Sequence, residues 1–204
     1  WAFDLAFETK SGDLMVAWGT EAVNDLNYIF RTQGAAGTWG TSSTATAFAE
    51  EPIDIELAPA PYSDMIAYMN NSPDTGADAE AGVWTGSAWD ATLDTAIPCS
   101  GNDLCTIDAS VDTTGIGTSN NAVEWLSTST NNSFAVVVYD DANAVGLDWA
   151  VYTSGTQAWA LQPDASSTSV NNQPASGDDR LHRNRGNPFN PAELMWIGVD
   201  TNSD

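Results

Sequence analysis

Short apolar runs, each preceded by a polar turn, recur along the chain and predict β-strands. The turn Gly12-Asp13 leads into an apolar run at 14–18, and similar turns lead into runs at 65–69 and 134–139. Ahead of these turns, polar and apolar residues alternate, most regularly in the segment 53–57. Alternation with a period of two indicates strands, and no apolar stripe with the period of a helix competes with it. The sequence therefore predicts an all-β chain.

A third strand and a closing tryptophan follow each of these hairpins. The predicted third strands cover residues 26–30, 80–84 and 147–152. The closing tryptophans lie 26, 25 and 26 residues after Asp13, Asp64 and Ser133, and they are Trp39, Trp89 and Trp159. Three copies that agree within one residue indicate an internal repeat. We expect these tryptophans to be mostly buried in the packing between repeats.

The repeat predicts one domain over residues 1–204, with units at about 1–52, 53–121 and 122–193 and the start of a fourth at 194–204. Each stretch between units has room for a fourth strand, for example at 46–49 or 104–107. Antiparallel units of three to four strands are typical of propeller blades, so we expect an incomplete or open β-propeller. A β-sandwich is the alternative fold. Since both ends fall inside the repeat, we expect a piece of a longer chain or assembly, with exposed strand edges that support self-association.

The charge balance excludes several classes of partner. The chain has 28 acidic and 5 basic residues, and its formal net charge is −23. Binding to nucleic acid requires clustered cations that release counterions, so we expect no nucleic-acid partner. The chain also lacks a run of ~18–20 apolar residues, so we expect no membrane insertion in this segment.

Two groups of residues suggest covalent or metal chemistry. Cys99 and Cys105 are separated by five residues, which predicts a disulfide in an oxidising compartment, with unlinked thiols as the alternative. Asp74, Asp78 and Glu80 place oxygen ligands at alternate positions, as a calcium loop does, although they do not match the EF-hand pattern. A solvated acidic turn is the alternative interpretation. Apart from this calcium site, we expect no cofactor.

A basic segment before residue 194 stands apart from the acidic chain. It carries Arg180, His182, Arg183 and Arg185, and it is followed by Pro188 and Pro191. Since proline disfavours regular structure, we expect a loop. Arginine suits bidentate pairing with carboxylates, so this loop either pairs within its own chain or docks an acidic partner, above all another copy of the protein.

Catalytic patterns are sparse in the sequence. The chain has one histidine, His182, and it lies in no recognisable Ser-His-Asp or Cys-His arrangement. We therefore expect a non-enzymatic protein. Glycoside cleavage needs only two carboxylates about 5–9.5 Å apart, so a carbohydrate-binding or glycoside-cleaving propeller is the alternative.

The segments 3–8, 11–18 and 83–89 resemble a propeller-type tandem repeat of long bacterial surface proteins, some of which have a prepilin-like N-terminus. The resemblance covers the three repeat copies. It implies an extracellular or cell-surface structural or adhesive module, such as a filament or pilus subunit or a decoration of one, with surface glycans as further candidate partners.

The repeats also resemble, more loosely, those of sialidase propellers, whose Asp-box turn closes on an aromatic residue. The turn from Thr85 to Trp89 lacks the aspartate of that motif. Sialidases also bring three arginines together from different blades. Here Arg31 stands alone, and the arginines at 180, 183 and 185 are crowded into one segment, which argues against sialidase activity.

Overall fold

The computed structural model describes strands and turns from all of the predicted repeat units. The described residues are 3–20, 23–34, 36–45, 52, 54–71, 79–90, 121–127, 133–140, 147–153, 156, 158–161, 180–187 and 190–199. Every regular element in these ranges is a β-strand, so the predicted all-β class is confirmed.

The strands form four antiparallel sheets, each made of strands that are consecutive in the sequence. Sheet 1 contains β1 (Phe3–Phe7), β2 (Leu14–Thr20), β3 (Val23–Arg31) and β4 (Ser43–Ala45). Sheet 2 contains β5 (Asp54–Pro59), β6 (Ile66–Asn71) and β7 (Ala79–Trp84). Sheet 3 contains β8 (Asn121–Ser127), β9 (Ser133–Asp140), β10 (Leu147–Thr153) and β11 (Ala158–Leu161). Sheet 4 contains β12 (Arg180–Asn187) and β13 (Asn190–Val199).

Sheets 1, 2 and 3 stack face to face in chain order. One apolar cluster joins sheets 1 and 2 and includes Met15, Leu26 and Leu57, and we call this contact the first junction. A second cluster joins sheets 2 and 3 and includes Met69 and Val123, and we call it the second junction. Sheet 2 is therefore covered on both faces.

The burial of individual strands follows from this stack. In β2, buried and half-buried side chains alternate, as expected for a strand with one covered face. In the middle strand of sheet 2, all five residues from Ile66 to Asn70 are 0% exposed, because neighbouring sheets cover both faces. The first strands of successive sheets also contact one another, β1 with β5, β5 with β8, and β8 with β12.

Each of the first hairpin turns of sheets 1 and 2 contains one residue with a positive, left-handed φ angle. Gly12 has a φ of 76° and the equivalent turn of sheet 2 has Tyr62 with a φ of 68°. Tyr62 is a strained exception, since side chains disfavour this region, and it is 83% exposed.

The basic segment is not the loop that the prolines suggested. Residues Arg180–Asn187 form β12, which pairs with β13. Pro188 follows the strand, and Pro191 falls at an irregularity where the register shifts after Gly186, so neither proline interrupts a regular ladder. Within this hairpin, Trp196 of β13 lies opposite Asn184 of β12.

Candidate functional site

The first junction is built around aromatic side chains from sheets 1 and 2. Tyr28 and Phe30 come from β3, Trp84 ends β7, and Trp89 forms a bridge with Trp84 just after that strand. The ring centroids of Phe30 and Trp84 are 5.0 Å apart, and those of Tyr28 and Trp89 are 5.7 Å apart. Such aromatic contacts stabilise beyond their buried area, so this cluster fixes the sheets against each other.

A buried carboxylate links the two sheets beneath this cluster. The indole Nε1 of Trp84 donates a 2.8 Å hydrogen bond to Oε1 of Glu8. The hydroxyl of Ser11 donates to Oε2 of the same carboxylate over 2.6 Å. Because Glu8 is only 5% exposed, these donors compensate for the water that its carboxylate loses.

The second junction repeats this design with different partners. Trp125 of β8 donates from Nε1 to the backbone oxygen of Ala58 over 2.6 Å. The rings of Tyr152 and Trp159 lie 5.4 Å apart, and Trp159 packs against the buried cluster. The hydroxyl of Tyr152 donates to Oδ2 of Asp90 over 2.6 Å.

The environment of Tyr152 stabilises its protonated form. Burial, the hydrogen bond to Asp90 and the negative charge of that carboxylate together raise the pKa of Tyr152 well above its usual range. The phenol therefore acts as a fixed donor between sheets 3 and 2 across the physiological pH range.

Acidic residues in the first strands tie each sheet to the next through the backbone. Oδ2 of Asp4 in β1 accepts a 2.7 Å hydrogen bond from the amide of Leu57 in β5. Oε2 of Glu56 in β5 accepts one of 3.2 Å from the amide of Val123 in β8. The same contact thus recurs at both junctions.

The turn of sheet 2 also holds the turn of sheet 1. Oδ1 of Asp64 accepts hydrogen bonds from the amides of Lys10 and Ser11, over 3.1 and 2.7 Å. The hydroxyl of Thr9 donates to the backbone oxygen of Ala60 over 2.7 Å. In the described part of the chain, these hydrogen bonds join consecutive sheets. They fix the spacing and orientation of the repeats.

The closing tryptophans meet the expectation in part. Trp89 and Trp159 are partly buried and pack against the clusters of the first and second junctions, as predicted. Trp39 forms the equivalent bridge with Arg31 at the end of β3, yet it is 53% exposed. The expectation of burial is wrong for Trp39, because the described residues provide no sheet against its face of sheet 1.

Most of the other predicted site residues fall outside the described structure. Cys99, Cys105, Asp74 and Asp78 lie outside it altogether, so the disulfide and the calcium loop stay predictions. Glu80, Arg180, His182, Arg183 and Arg185 lie on described strands, Glu80 on β7 and the other four together on β12, and the structure describes only their backbone. Among the described residues, no three His, Cys, Asp or Glu side chains lie close enough together to hold a metal ion.

The acidic residues of the junctions were missed by sequence reasoning. A signal for Glu8 was present, since it continues the alternation of Asp4 and Ala6 and so falls on their face of β1, the face towards sheet 2. Asp90 directly follows the closing Trp89. In the sequence alone, Glu8 and Asp90 look like ordinary acidic residues exposed to solvent. Only the stacking of the sheets shows that both side chains are buried.

No protein-family model matches the chain, and no curated protein matches it either. None of the described residues belongs to a helix long and apolar enough to cross a membrane.

Proposed function

We propose that the chain is a non-enzymatic structural or adhesive repeat module that acts outside the cell or at its surface. The observation that carries this proposal is the complete burial of the middle strand of sheet 2, from Ile66 to Asn70. A sheet covered on both faces by its neighbours contributes to a stack rather than to a binding cleft. The polar contacts of Glu8, Asp64 and Asp90 likewise hold sheets or their turns in place.

As part of this proposal, the four sheets are blades of an incomplete or open β-propeller. Two features support a propeller over a two-sheet sandwich. The sheets stack in chain order, and their first strands follow one another in contact, from β1 through β5 and β8 to β12, as strands do around a propeller axis.

Such a module serves as a subunit or decoration of a filament or pilus when copies join. Exposed strand edges and the basic strand β12 supply two means of self-association. The formal net charge of −23 acts against it, since each copy repels the next at low ionic strength.

Electron microscopy of native material, combined with immunogold labelling of whole cells that make the protein, tests this proposal. We expect label on the outside of intact cells, associated with ordered polymers. Label confined to the cell interior, with isolated particles only, would contradict it.

A carbohydrate-binding or glycoside-cleaving propeller is the second candidate, and the half-exposed indole of Trp39 favours it, since aromatic faces stack on sugar rings. Titration of tryptophan fluorescence with oligosaccharides tests this candidate. It requires saturable quenching in the native chain that is lost in Trp39→Ala and kept in Trp89→Phe.

A further inference from the structure

The outward face of sheet 1 is apolar, although the described structure leaves it uncovered. Phe3, Leu5 and Phe7 alternate along β1 on this face and are 67%, 50% and 56% exposed. Residues directly opposite one another in an antiparallel pair share a face, so the register extends it over β2 and β3. The further apolar members are Leu14, Val16, Trp18 and Ile29, and β3 adds the polar Asn27 and Arg31 to the same face.

The repeat shows what kind of surface normally covers this face. In sheet 2, the first-strand residues Ile55 and Leu57 point towards sheet 1, and in sheet 3, Val123 and Trp125 point towards sheet 2. These four side chains are at most 7% exposed. Phe3, Leu5 and Phe7 occupy the corresponding positions of sheet 1 and have no sheet before them in the described structure.

Trp39 gives an independent match to the same face. It lies opposite Arg31, which in turn lies opposite Leu14 of the outward face. The equivalent Trp89 is opposite Trp84 and packs towards sheet 1. Thus the first strand and the closing tryptophan of sheet 1 present apolar side chains at the same positions where sheets 2 and 3 contact the sheet before them.

The surface that covers such a face has a recognisable composition. In sheets 1 and 2, the side that faces the next sheet presents alanine and methionine from the second strand, Met15 with Ala17 and Ala67 with Met69. A first-strand acid on the same side accepts a hydrogen bond from a backbone amide of the next sheet. The occupant that fits the outward face of sheet 1 is therefore another sheet of this same repeat.

We propose that the outward face of sheet 1 is a docking surface for the far end of a second copy of this chain. Within the described residues, sheets 2 and 3 already cover one another, and sheet 4 contacts β8 at the opposite end of the stack. The far end of a second copy supplies another sheet of the repeat without removing any of these contacts. The contact is heterologous, with a different surface on each partner, so it forms rings or open filaments. This inference rests on the proposed function, because it names the surface through which the modules join.

Sedimentation velocity of the full chain over a wide concentration range tests the proposal. The face variant is Phe3→Ser with Phe7→Ser, and a second variant, Leu5→Lys, places one charge in the middle of the face. We expect the native chain to self-associate with rising concentration and each variant to do so at least about tenfold more weakly, as for loss of a central apolar anchor. The matched control is Tyr62→Asn, which removes an exposed aromatic side chain away from the face and keeps a residue that tolerates positive φ.

Circular dichroism and thermal unfolding in dilute solution accompany the test. Variants that keep the native spectrum and melting temperature but lose association support the proposal. A native chain that stays monomeric at every concentration, or variants that associate like the native chain, would overturn it. Variants that lower the melting temperature of a monomer would also overturn it, because the face is then covered within its own chain. If polymers outside the cell persist in the face variants, this docking surface fails while the proposed function stands; if native cells carry no external polymers, the proposed function itself fails.

Discussion

Trp84 and Glu8 are 76 residues apart in the sequence, and a 2.8 Å hydrogen bond joins the indole of the first to the carboxylate of the second. The bond crosses from the last strand of sheet 2 to the end of the first strand of sheet 1. Both side chains are buried, Trp84 at 7% exposure and Glu8 at 5%. Since the buried indole N–H of Trp84 donates to the buried carboxylate of Glu8, the stability of the first junction depends on keeping both partners.

Replacing Glu8 by alanine leaves the indole N–H of Trp84 buried without this acceptor and removes the bond from Ser11. We expect Glu8→Ala to lower the free energy of unfolding by about 2–3 kcal/mol, measured by urea denaturation. Glu8→Gln retains an amide oxygen that can accept from the indole, and it should cost about 1 kcal/mol.

A double-mutant cycle isolates the pair. Glu8→Ala and Trp84→Phe should show a coupling of about 1 kcal/mol or more, whereas Glu8→Ala and Trp125→Phe should be additive, since the Trp125 indole bonds elsewhere. Additivity in both cycles would show that the Glu8–Trp84 bond does not hold the junction.

The Tyr152–Asp90 bond predicts a loss of stability in alkali. Burial, the hydrogen bond to Asp90 and its charge raise the pKa of Tyr152 above its ordinary value of 10.0. The folded state thus holds the phenol proton more tightly than the unfolded chain does. This contribution is fully present below pH 10 and decreases as the pH rises above that value.

We expect Tyr152→Phe to cost about 1–3 kcal/mol at neutral pH and to remove this part of the alkaline loss. Urea denaturation at a series of pH values up to the alkaline range measures both effects. Tyr62→Phe is the control, because it removes a hydroxyl from a residue that is 83% exposed. An alkaline profile of Tyr152→Phe identical to that of the native chain would contradict the prediction.

The three closing tryptophans should differ in their contribution to the stability of the monomer. Trp89→Ala and Trp159→Ala should each cost about 3 kcal/mol, since both side chains pack against a junction cluster. In dilute solution, Trp39→Ala should change the free energy of unfolding by no more than about 0.5 kcal/mol, because the side chain is 53% exposed. Guanidinium denaturation of the three variants decides this, and equal losses at all three positions would mean that Trp39 is covered in the monomer.

Strand positions could be predicted where one face of a strand is covered, because apolar and polar residues then alternate, as in β2. The run predicted at 14–18 lies within β2, and the run at 80–84 differs from β7 by one residue. β12 was missed for a physical reason. Its sequence is mostly polar, and it forms a strand because its backbone pairs with β13. Such backbone pairing leaves no periodic pattern of apolar residues in the sequence.

The junction contacts were less accessible to sequence reasoning than the strands. The spacing of the closing tryptophans predicted that Trp89 and Trp159 are equivalent, and their packing confirms this. The exposure of Trp39 depends on whether a sheet precedes sheet 1, which no local pattern encodes. The role of Glu8 likewise depends on Trp84, which only the stacking of the sheets brings near.

Gly19 marks a close approach between sheet 1 and the segment before sheet 2. A Cβ at this position would clash with the backbone oxygen of Pro52. We expect Gly19→Ala to cost about 1–3 kcal/mol in thermal unfolding, since backbone must shift to admit the methyl group. Gly40→Ala is the matched control, because its Cβ would lie an ordinary 3.5 Å from the oxygen of Phe30. A Gly19→Ala chain as stable as Gly40→Ala would show that the two segments are not held together there.

The basic strand β12 predicts a charge-dependent contribution to assembly. It carries three of the five basic residues of the chain, Arg180, Arg183 and Arg185, while the formal net charge is −23. If these arginines dock carboxylates of another copy, the triple replacement of arginine by glutamate should weaken self-association in sedimentation experiments by at least about tenfold. Salt alone is a poor test, because it screens this attraction and also relieves the repulsion between acidic copies. The control is Lys10→Glu, which makes a single charge reversal in the exposed turn between β1 and β2, away from both β12 and the outward face of sheet 1. Unchanged assembly in the triple variant would leave the apolar face of sheet 1 and the open strand edges as the means of association.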